Sequence, residues 1–309
     1  MSAPIFLYGF ARSGTTLLTM MLDSHAELSV PLSVTGLWYR TIAASAQDVD
    51  ALVDALLGHE RIRLWKADLN RDAILAAIRP GHIEDIIPAF HAAKAQADGK
   101  PRWANMDIAS IDHVEELATW FPDARFVHIV RDVRDVALSH QDYAFSEGNY
   151  LEIAQSWSAL VGAAERIGSL LGERHLTIHF EDLVEASEAT LKTICDHVEL
   201  EYDATMLAYG AKVGQKIPNE RRGLWPDIDK PPQANKVDQW RTRLSKAQRY
   251  VVETNARETL QRFGYDTMDT PTFSLSGELY GLMQYALRGH RGARLRRKLG
   301  LPQKKVRGR

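Results

Sequence analysis

The chain has 309 residues, of which 45% are hydrophobic and 25% charged, so it holds one large globular domain or two modest ones. Its single cysteine, Cys195, excludes an internal disulfide and a cysteine-based metal cluster, and it suits a reducing compartment. An apolar run begins at Pro4 without a basic leader, and every apolar patch is far shorter than the ~20 residues of a membrane-spanning helix. We therefore expect a cytoplasmic protein in which Cys195 is a buried, helical, small hydrophobic residue.

The formal net charge of −2 conceals an acidic body and a basic tail. The tail, residues 288–309, has no acidic residue and ten basic ones: Arg288, Arg291, Arg294, Arg296, Arg297, Lys298, Lys304, Lys305, Arg307 and Arg309. The other 28 basic and 40 acidic residues give the body a charge of −12. Two interpretations of the tail stay open: a solvated chain end, or a surface for anionic lipid, nucleic acid or an acidic partner.

Short apolar strands alternate with amphipathic helices along the predicted chain. Runs of apolar and β-branched residues predict strands at 5–8, 124–130 and 176–180. Apolar residues at helical spacing predict helices at 16–22, 48–57, 112–120, 136–140, 188–198 and 244–263. This alternation predicts an α/β fold with a central parallel sheet and helices on both of its faces.

Segment 214–237 departs from this pattern, because it is rich in proline and glycine and has little periodicity. A long loop inside a compact enzyme is often a lid or a binding loop. The main domain is predicted to close just after Gly264. The expected division is therefore a domain of residues 1–268 and a basic C-terminal extension of residues 269–309.

A phosphate-binding loop is predicted between the first strand and the first helix, where the sequence reads GFARSGTT. A glycine-containing turn lets backbone N–H groups face an anion, and the helix N-terminus adds partial positive charge. Arg12 supplies a planar cation and Gly14 avoids a Cβ clash near the ligand. Further ligands are expected from Ser13, Thr15 and Thr16. The alternative is a strand-to-helix turn that binds no ligand.

The loop differs from that of the nucleotide triphosphatases, because Thr15 occupies the position of their lysine. Such a loop favours a 5′-phosphate over a magnesium-bound triphosphate.

A second anion site is predicted in the stretch FVHIVRDVRDVALS at 126–139. Arg131 ends an apolar strand, where parallel sheets gather their ligands. Ser139 lies eight residues later on the following helix, so it is placed to converge with Arg131 on one anion. Arg134 and Asp135 are expected to brace the turn. The alternative is a cluster of ion pairs at the strand end.

Together these segments resemble the sulfotransferases that use 3′-phosphoadenosine 5′-phosphosulfate (PAPS), in particular their tyrosylprotein and bacterial branches. The stretch at 9–18 resembles the family's 5′-phosphosulfate loop, and 126–139 resembles its 3′-phosphate motif. FEDL at 180–183 and the C-terminal elements up to 263–265 follow in the family's order. The resemblance covers roughly residues 4–268.

The resemblance implies a P-loop-type three-layer fold, PAPS as donor, 3′-phosphoadenosine 5′-phosphate (PAP) as product, and no metal. Arg131 and Ser139 match the family's ligands of the 3′-phosphate. Phe180 occupies the position of an aromatic residue near the adenine. Lys236 lies in the segment that matches a loop closing over the 3′-phosphate.

The general base departs from the family pattern. Ser33 stands where the resemblance places a catalytic glutamate, and Met106 where it places a lysine. A neutral serine is a poor base, so Asp107, directly after Met106, is our leading replacement. His25 is a second candidate, because histidine titrates in the useful range. The family often has a structural histidine at this position, so that role stays open. An amine acceptor with a lowered pKa would need little base.

The sequence thus predicts a sulfotransferase that moves a sulfuryl group from PAPS to a hydroxyl or amine acceptor through an atypical base. Two alternatives remain: a PAPS- or PAP-binding protein of the same fold without turnover, and a P-loop kinase. We expect a small-molecule or natural-product acceptor and no nucleic acid. A peripheral membrane or acidic partner for the tail, and a homodimer, are left open.

Overall fold

The computed structural model describes residues 3–43, 48–142, 149–267 and 274–286. It divides into two compact units, one of Met1–Val130 with Ala164–Gln233 and one of Arg131–Ala163 with Ala234–Arg309. The basic tail and the predicted domain boundary at residue 268 lie outside the described residues. The division into residues 1–268 and 269–309 therefore stays a prediction.

The first unit contains a parallel sheet of five strands in the order β2-β3-β1-β4-β5. The strands are β1 (Ile5–Gly9), β2 (Leu28–Ser29), β3 (Arg102–Met106), β4 (Arg125–Val130) and β5 (His175–His179). β1 is buried along its whole length and β4 along all but its first residue, as expected of central parallel strands with covered faces. The predicted α/β class is confirmed.

In the described part of the chain, seven α-helices lie between the first four strands. They are α1 (Thr15–Asp23), α2 (Leu37–Ala43), α3 (Val49–Gly58), α4 (Glu60–Arg63), α5 (Arg71–Ala77), α6 (Ile86–Ala97) and α7 (Val114–Trp120). The chain passes from β1 across β3 to β2 through α1, and it returns in the opposite direction through α6 to β3 and through α7 to β4. Crossovers between parallel strands are right-handed as a rule, so α1 belongs to one face of the sheet and α6 and α7 belong to the other. The chain thus leaves the adjacent strands β1 and β3 toward opposite faces, and the carboxyl ends of two such strands are where open α/β sheets bind their ligands.

The rest of the chain is mainly helical. It forms α8 (Val133–Asp142), α9 (Tyr150–Leu171), α10 (Phe180–Glu185), α11 (Ser187–His197), α12 (Val213–Lys216), α13 (Asn219–Arg222), α14 (Trp240–Arg243), α15 (Lys246–Arg262) and α16 (Leu275–Ala286). Short 3-10 helices span Ile83–Asp85, Ile108–Asp112, Gly172–Arg174, Ala204–Lys212 and Ala234–Lys236. α9 begins in the second unit and ends in the first.

Several elements differ from the prediction. β2 and β3 were missed because β2 has two residues and β3 reads RWANM, with no alternation and no β-branched residue. Phe180 begins α10 instead of ending a strand, and two acidic residues in its first turn favour that helix start. The predicted loop 214–237 is interrupted by one-turn helices. α15 begins at Lys246 because Ser245 and Gln248 form a capping box.

Two further expectations concern burial and membrane crossing. Cys195 is buried in α11, and burial raises the pKa of its thiol to about 11, which confirms the predicted structural cysteine. In the part of the chain that the structure describes, no helix is both long and apolar enough to cross a membrane.

Two histidines lie on neighbouring strands of the first unit's sheet, His128 buried and His175 half-buried. The His128 ring on β4 stacks on Tyr8 of β1 with 5.0 Å between ring centroids, and the Tyr8 hydroxyl is hydrogen-bonded to His175 Nε2 at 2.7 Å. Burial lowers the pKa of His128 to about 3 and that of His175 to about 4. Both imidazoles are therefore neutral in the folded chain near neutral pH.

Lowering the pH from 7 to about 5 is expected to lower the free energy of unfolding. In the variant His128→Phe this decrease should be smaller by about 2 kcal/mol. Unfolded histidine takes up a proton near pH 6.5, whereas folded His128 does so only near pH 3. The unfolded state binds more protons in that window, so stability falls as the pH falls. Urea unfolding at both pH values measures the effect, with the exposed His82→Phe as control. An unchanged pH dependence in His128→Phe would show that His128 is not the cause.

Candidate active site

The loop after β1 has the backbone of an anion cradle. Arg12 and Gly14 adopt left-handed conformations, with φ of 72° and 92°. Such a φ is uncommon for a non-glycine residue and often marks a functional turn. Gly14 is the N-cap of α1 and supplies no side chain, so the N–H groups of the first turn lack a side-chain cap within the described residues. The positive end of the helix dipole and these N–H donors therefore lie together at the N-terminus of α1, where both favour an anion.

Ser13 is the second sign of a ligand at this loop. Its side chain is fully buried, and its Oγ has no hydrogen-bond partner among the described residues. Burying a hydroxyl without a partner is costly, so such a group is explained best by a ligand that completes it. A phosphate or sulfate oxygen is a suitable acceptor for the Ser13 hydroxyl.

Phe180 packs directly on the loop at Gly14. A Cβ on Gly14 would lie 2.3 Å from Phe180 Cδ2, so only glycine allows this contact. The structure thus brings together two residues predicted for one site from distant parts of the sequence. Thr15 is buried and Thr16 half-buried at the start of α1. Arg12 Nη1 donates to the carbonyl oxygen of Leu224 at 3.4 Å, so the predicted binding loop 214–237 contacts the phosphate loop.

Asp107 follows β3, the strand beside β1, and its backbone N–H donates to the Leu7 carbonyl at 3.3 Å. The phosphate loop and this carboxylate therefore leave neighbouring strands at the same edge of the sheet. Asp107 is fully buried, with Oδ2 accepting from Gly36 N at 2.8 Å and Oδ1 from Ala109 N at 3.2 Å. Burial raises the pKa of this carboxyl above its ordinary value, although these hydrogen bonds oppose the shift.

Ser33 is the side-chain partner of Asp107. Its hydroxyl donates to Asp107 Oδ1 at 3.0 Å and accepts from Thr35 N at 3.1 Å. Ser33 is half-buried, so solvent reaches the serine but not the carboxylate behind it. The position where a glutamate was expected thus holds a hydroxyl that is hydrogen-bonded to a buried carboxylate. Sequence reasoning missed this pairing because 74 positions separate the two residues.

Both ring nitrogens of His25 are hydrogen-bonded to backbone groups. Nε2 is hydrogen-bonded to the Glu201 carbonyl at 2.8 Å, and Nδ1 accepts from Glu27 N at 3.0 Å. The ring is buried near the last turn of α1, and a helix of this length separates it from the phosphate loop by about 14 Å. This geometry disfavours His25 as the base, and we assign it a structural role.

In the second unit, the structure brings Arg131 and Lys236 together. Arg131 is buried, and its Nη2 donates to the carbonyl oxygen of Lys236 at 2.7 Å. Lys236 ends the 3-10 helix Ala234–Lys236, and Ser139 is half-buried on α8. The Lys236 segment therefore lies against the predicted 3′-phosphate arginine.

A buried ion cluster supports the turn after Arg131. The Arg134 guanidinium contacts Asp132 Oδ2 and Glu253 Oε1, both at 2.6 Å. It also lies 3.6 Å above the centroid of the Trp240 ring. Arg134, Asp132 and Glu253 are each 5% exposed or less. These contacts confirm the prediction that Arg134 braces the turn. The sequence did not indicate that Glu253 on α15 takes part in the cluster.

Asp135 completes the bracing. Its Oδ1 accepts from Trp240 N at 2.8 Å, which fixes the start of α14. Burial raises the pKa of Asp135 to about 6, against the lowering effect of the nearby Arg131 charge. The sequence-based expectation that Asp135 supports the turn is also confirmed.

No three histidine, cysteine or acidic side chains are grouped to hold a metal ion within the described ranges. The chemistry of the donor set is instead that of an anion site: arginine, hydroxyls and the N-terminus of a helix. These groups fit the phosphosulfate and phosphate of a nucleotide such as PAPS.

The parallel sheet, the loop after β1 and the first-turn donors of α1 define an α/β protein with an anion-binding geometry at the carboxyl edge of its sheet. A family model described as the sulfotransferase family matches residues 4–204. The chain belongs to the sulfotransferase family, which confirms the resemblance found in its motifs.

Individual relatives agree with this assignment. Protein-tyrosine sulfotransferase A of Caenorhabditis elegans is 24% identical over 228 residues, which are 69% of this chain and 54% of the relative. The chain spans about half the length of the curated relatives that it matches.

Two solved structures share the fold. The sulfotransferase domain from the curacin biosynthetic pathway is 18% identical with a TM-score of 0.61, and the match covers 86% of this chain and 99% of that one. The domain from the Synechococcus PCC 7002 olefin synthase is 20% identical with a TM-score of 0.57, covering 86% and 96%. The predicted P-loop-type fold is confirmed.

Proposed function

We propose that this chain transfers a sulfuryl group from PAPS to a hydroxyl or amine acceptor and releases PAP. The observation that carries the proposal is the loop from Arg12 to Thr16, where two left-handed residues, an unpartnered buried hydroxyl and a helix N-terminus meet. Membership of the sulfotransferase family supports it.

PAPS, when bound, supplies the sulfuryl group: a bond from the acceptor atom to sulfur forms while the bond from sulfur to the 5′-phosphate oxygen breaks. The loop holds the 5′-phosphosulfate, and the charge that grows on the departing phosphate is met by fixed donors. These are the Arg12 guanidinium, the Ser13 hydroxyl and the first-turn N–H groups at Thr15 and Thr16. Donors fixed before the reaction stabilise developing charge without reorganising. Phe180, which packs on Gly14, is proposed to contact the adenine.

The acceptor's proton is proposed to leave through Ser33 and Asp107. Ser33 Oγ takes the proton from the acceptor while its own hydrogen passes to Asp107 Oδ1, 3.0 Å away. The relay is needed because Asp107 is fully buried, whereas Ser33 is half-buried. The raised pKa of Asp107 makes its carboxylate a stronger base than an exposed aspartate.

The 3′-phosphate is proposed to bind Arg131, Ser139 and Lys236. Arg131 is held by the Lys236 carbonyl, and the turn that carries it is fixed by the buried Arg134 cluster. A guanidinium held in this way presents a planar pair of donors to phosphate oxygens.

A protein that binds PAP without turnover is the second candidate function, because full burial of Asp107 would also suit a purely structural carboxylate. The acceptor is proposed to be a small molecule or natural product. The curated relatives are protein-tyrosine sulfotransferases by name, so a tyrosine hydroxyl is the second acceptor class to assay. The cytoplasmic location and the independence from metal stay predictions.

Arg131→Ala is expected to weaken PAP binding by about 10- to 100-fold and to leave AMP binding nearly unchanged, since AMP lacks the 3′-phosphate. Calorimetric titration of the purified protein with both nucleotides measures this. Arg125→Ala is the matched control, because Arg125 lies at the opposite end of β4 and pairs with Glu199 near the surface.

Equal losses of PAP and AMP affinity in Arg131→Ala would contradict the assigned 3′-phosphate role. Tighter binding of Mg²⁺-ATP than of PAP by the unmodified protein would contradict the proposed function as a whole. PAP binding without turnover of PAPS on any phenol, alcohol or amine would favour the second candidate.

A further inference from the structure

The C-terminal helix α16 presents an apolar stripe to solvent. Leu275, Leu279, Leu282 and Met283 are 66%, 59%, 64% and 46% exposed. Their spacing of four, three and one residues places them on one face of the helix. Large apolar side chains gathered on one exposed face mark an interaction surface, whereas singly scattered ones do not.

The opposite face of α16 is fixed by close packing on α15, so the stripe points outward for a structural reason. A Cβ on Gly277 would lie 2.2 Å from the Tyr250 ring, and one on Gly281 would lie 3.5 Å from Val251. The Tyr250 hydroxyl donates to Glu278 Oε1 at 2.5 Å. The small residues thus fix which face of α16 is buried and which one carries the leucines.

The sequence directly after this helix is strongly basic. Residues 288–309 contain ten lysines and arginines and no acidic residue, against a charge of −12 for the rest of the chain. The helix that carries the exposed apolar stripe is therefore followed in the sequence by a segment with a high density of positive charges.

Charge complementarity indicates which kind of partner binds the apolar stripe of α16. A second copy of the chain would bring two tails of ten positive charges together, which is unfavourable. Nucleic acid would match the cations and leave the leucines in water. An anionic bilayer satisfies both parts, because apolar side chains enter the interface while lysine and arginine meet acidic headgroups.

We propose that α16 and the basic segment after it form a peripheral binding site for anionic phospholipid membranes. The helix lies in the plane of the interface with Leu275, Leu279, Leu282 and Met283 among the acyl chains. None of its residues is among those proposed for sulfuryl transfer, and the proposal does not depend on the proposed function.

Co-sedimentation of the full chain with vesicles tests this proposal. We expect binding to phosphatidylcholine vesicles that contain phosphatidylserine, and at least about tenfold weaker binding to pure phosphatidylcholine or at high salt. The double variant Leu279→Gln/Leu282→Gln should bind at least about tenfold more weakly. Leu170→Gln, at an exposed leucine on α9, is the matched control and should bind normally.

Three outcomes would overturn the proposal. Equal binding to both kinds of vesicle would show that negative lipid charge is not recognised. Normal binding by the double variant would show that the leucines of α16 do not contact the membrane. A change from dimer to monomer in the double variant, without vesicle binding by the unmodified chain, would assign the stripe to a second copy. The far-UV circular dichroism spectrum and the unfolding temperature, measured in parallel on every variant, report whether the fold is intact.

Discussion

Replacing Arg134 by methionine is expected to lower the free energy of unfolding by about 3–5 kcal/mol. The guanidinium is 1% exposed and pairs with Asp132 and Glu253, which are themselves buried. Methionine has a similar length but no charge, so it removes the guanidinium that both buried carboxylates contact. Among the contacts of the described residues, Glu253 retains the one with Arg249, whose Nε donates to Oε1 at 2.9 Å. An uncompensated buried carboxylate is far more costly than a lost surface ion pair.

The matched control is Arg243→Met, which removes an arginine of the same unit that pairs with Asp142 at 2.6 Å. Both partners of that pair are 42% exposed, so its loss should cost about 1 kcal/mol or less. Chemical unfolding of the two variants gives the comparison directly. If Arg134→Met is no less stable than Arg243→Met, the cluster does not support the turn after Arg131.

The sequence predicted the parts of the site that are encoded locally. The loop from Arg12 to Thr16 and the start of α1 follow from a glycine turn between a short apolar run and a helical pattern. Arg131 was predicted in the same way, because it directly follows a short, mainly apolar strand. In these stretches the residue types that bind phosphate and those that set the backbone are the same residues.

The parts that were missed depend on residues far apart in the chain. Asp107 was chosen only because it follows Met106. Its partner Ser33 approaches through a turn at Thr35 and Gly36, both at positive φ, which no periodic pattern reveals. Glu253 lies 119 positions from Arg134 on a helix whose pattern gave no sign of a buried acid. Such pairings are tertiary, so they appear only once the elements are packed.

Asp107→Asn is expected to lower the rate of sulfuryl transfer by about 10²–10⁴-fold while PAP binding stays the same. Asparagine keeps an acceptor oxygen for Gly36 N but cannot take the proton that Ser33 passes on. Ser33→Ala should lose a comparable factor, because it removes the hydroxyl that solvent reaches. Ser33→Thr retains a hydroxyl and should recover most of the rate.

The pH profile separates this relay from a structural role. The relay needs an ionised Asp107, and burial raises its pKa above the ordinary value of about 3.9. The rate should therefore fall as the pH drops through that raised pKa, and Asp107→Asn should lack this acidic limb. Asp85→Asn, another buried aspartate that pairs with Arg79, should keep both the rate and the limb.

Restoring a carboxylate at position 33 is the sharpest test of the relay. Ser33→Glu in the Asp107→Asn background places an acid where the motif resemblance expects one, and we expect it to recover at least about tenfold of the lost rate. Recovery would mean that position 33 faces the acceptor and that proton removal limits the reaction. Asp107→Asn with full turnover and an unchanged acidic limb would instead show that the carboxylate only fixes the turn at Gly36. In that case the acceptor loses its proton without help from this pair, as an amine with a lowered pKa would.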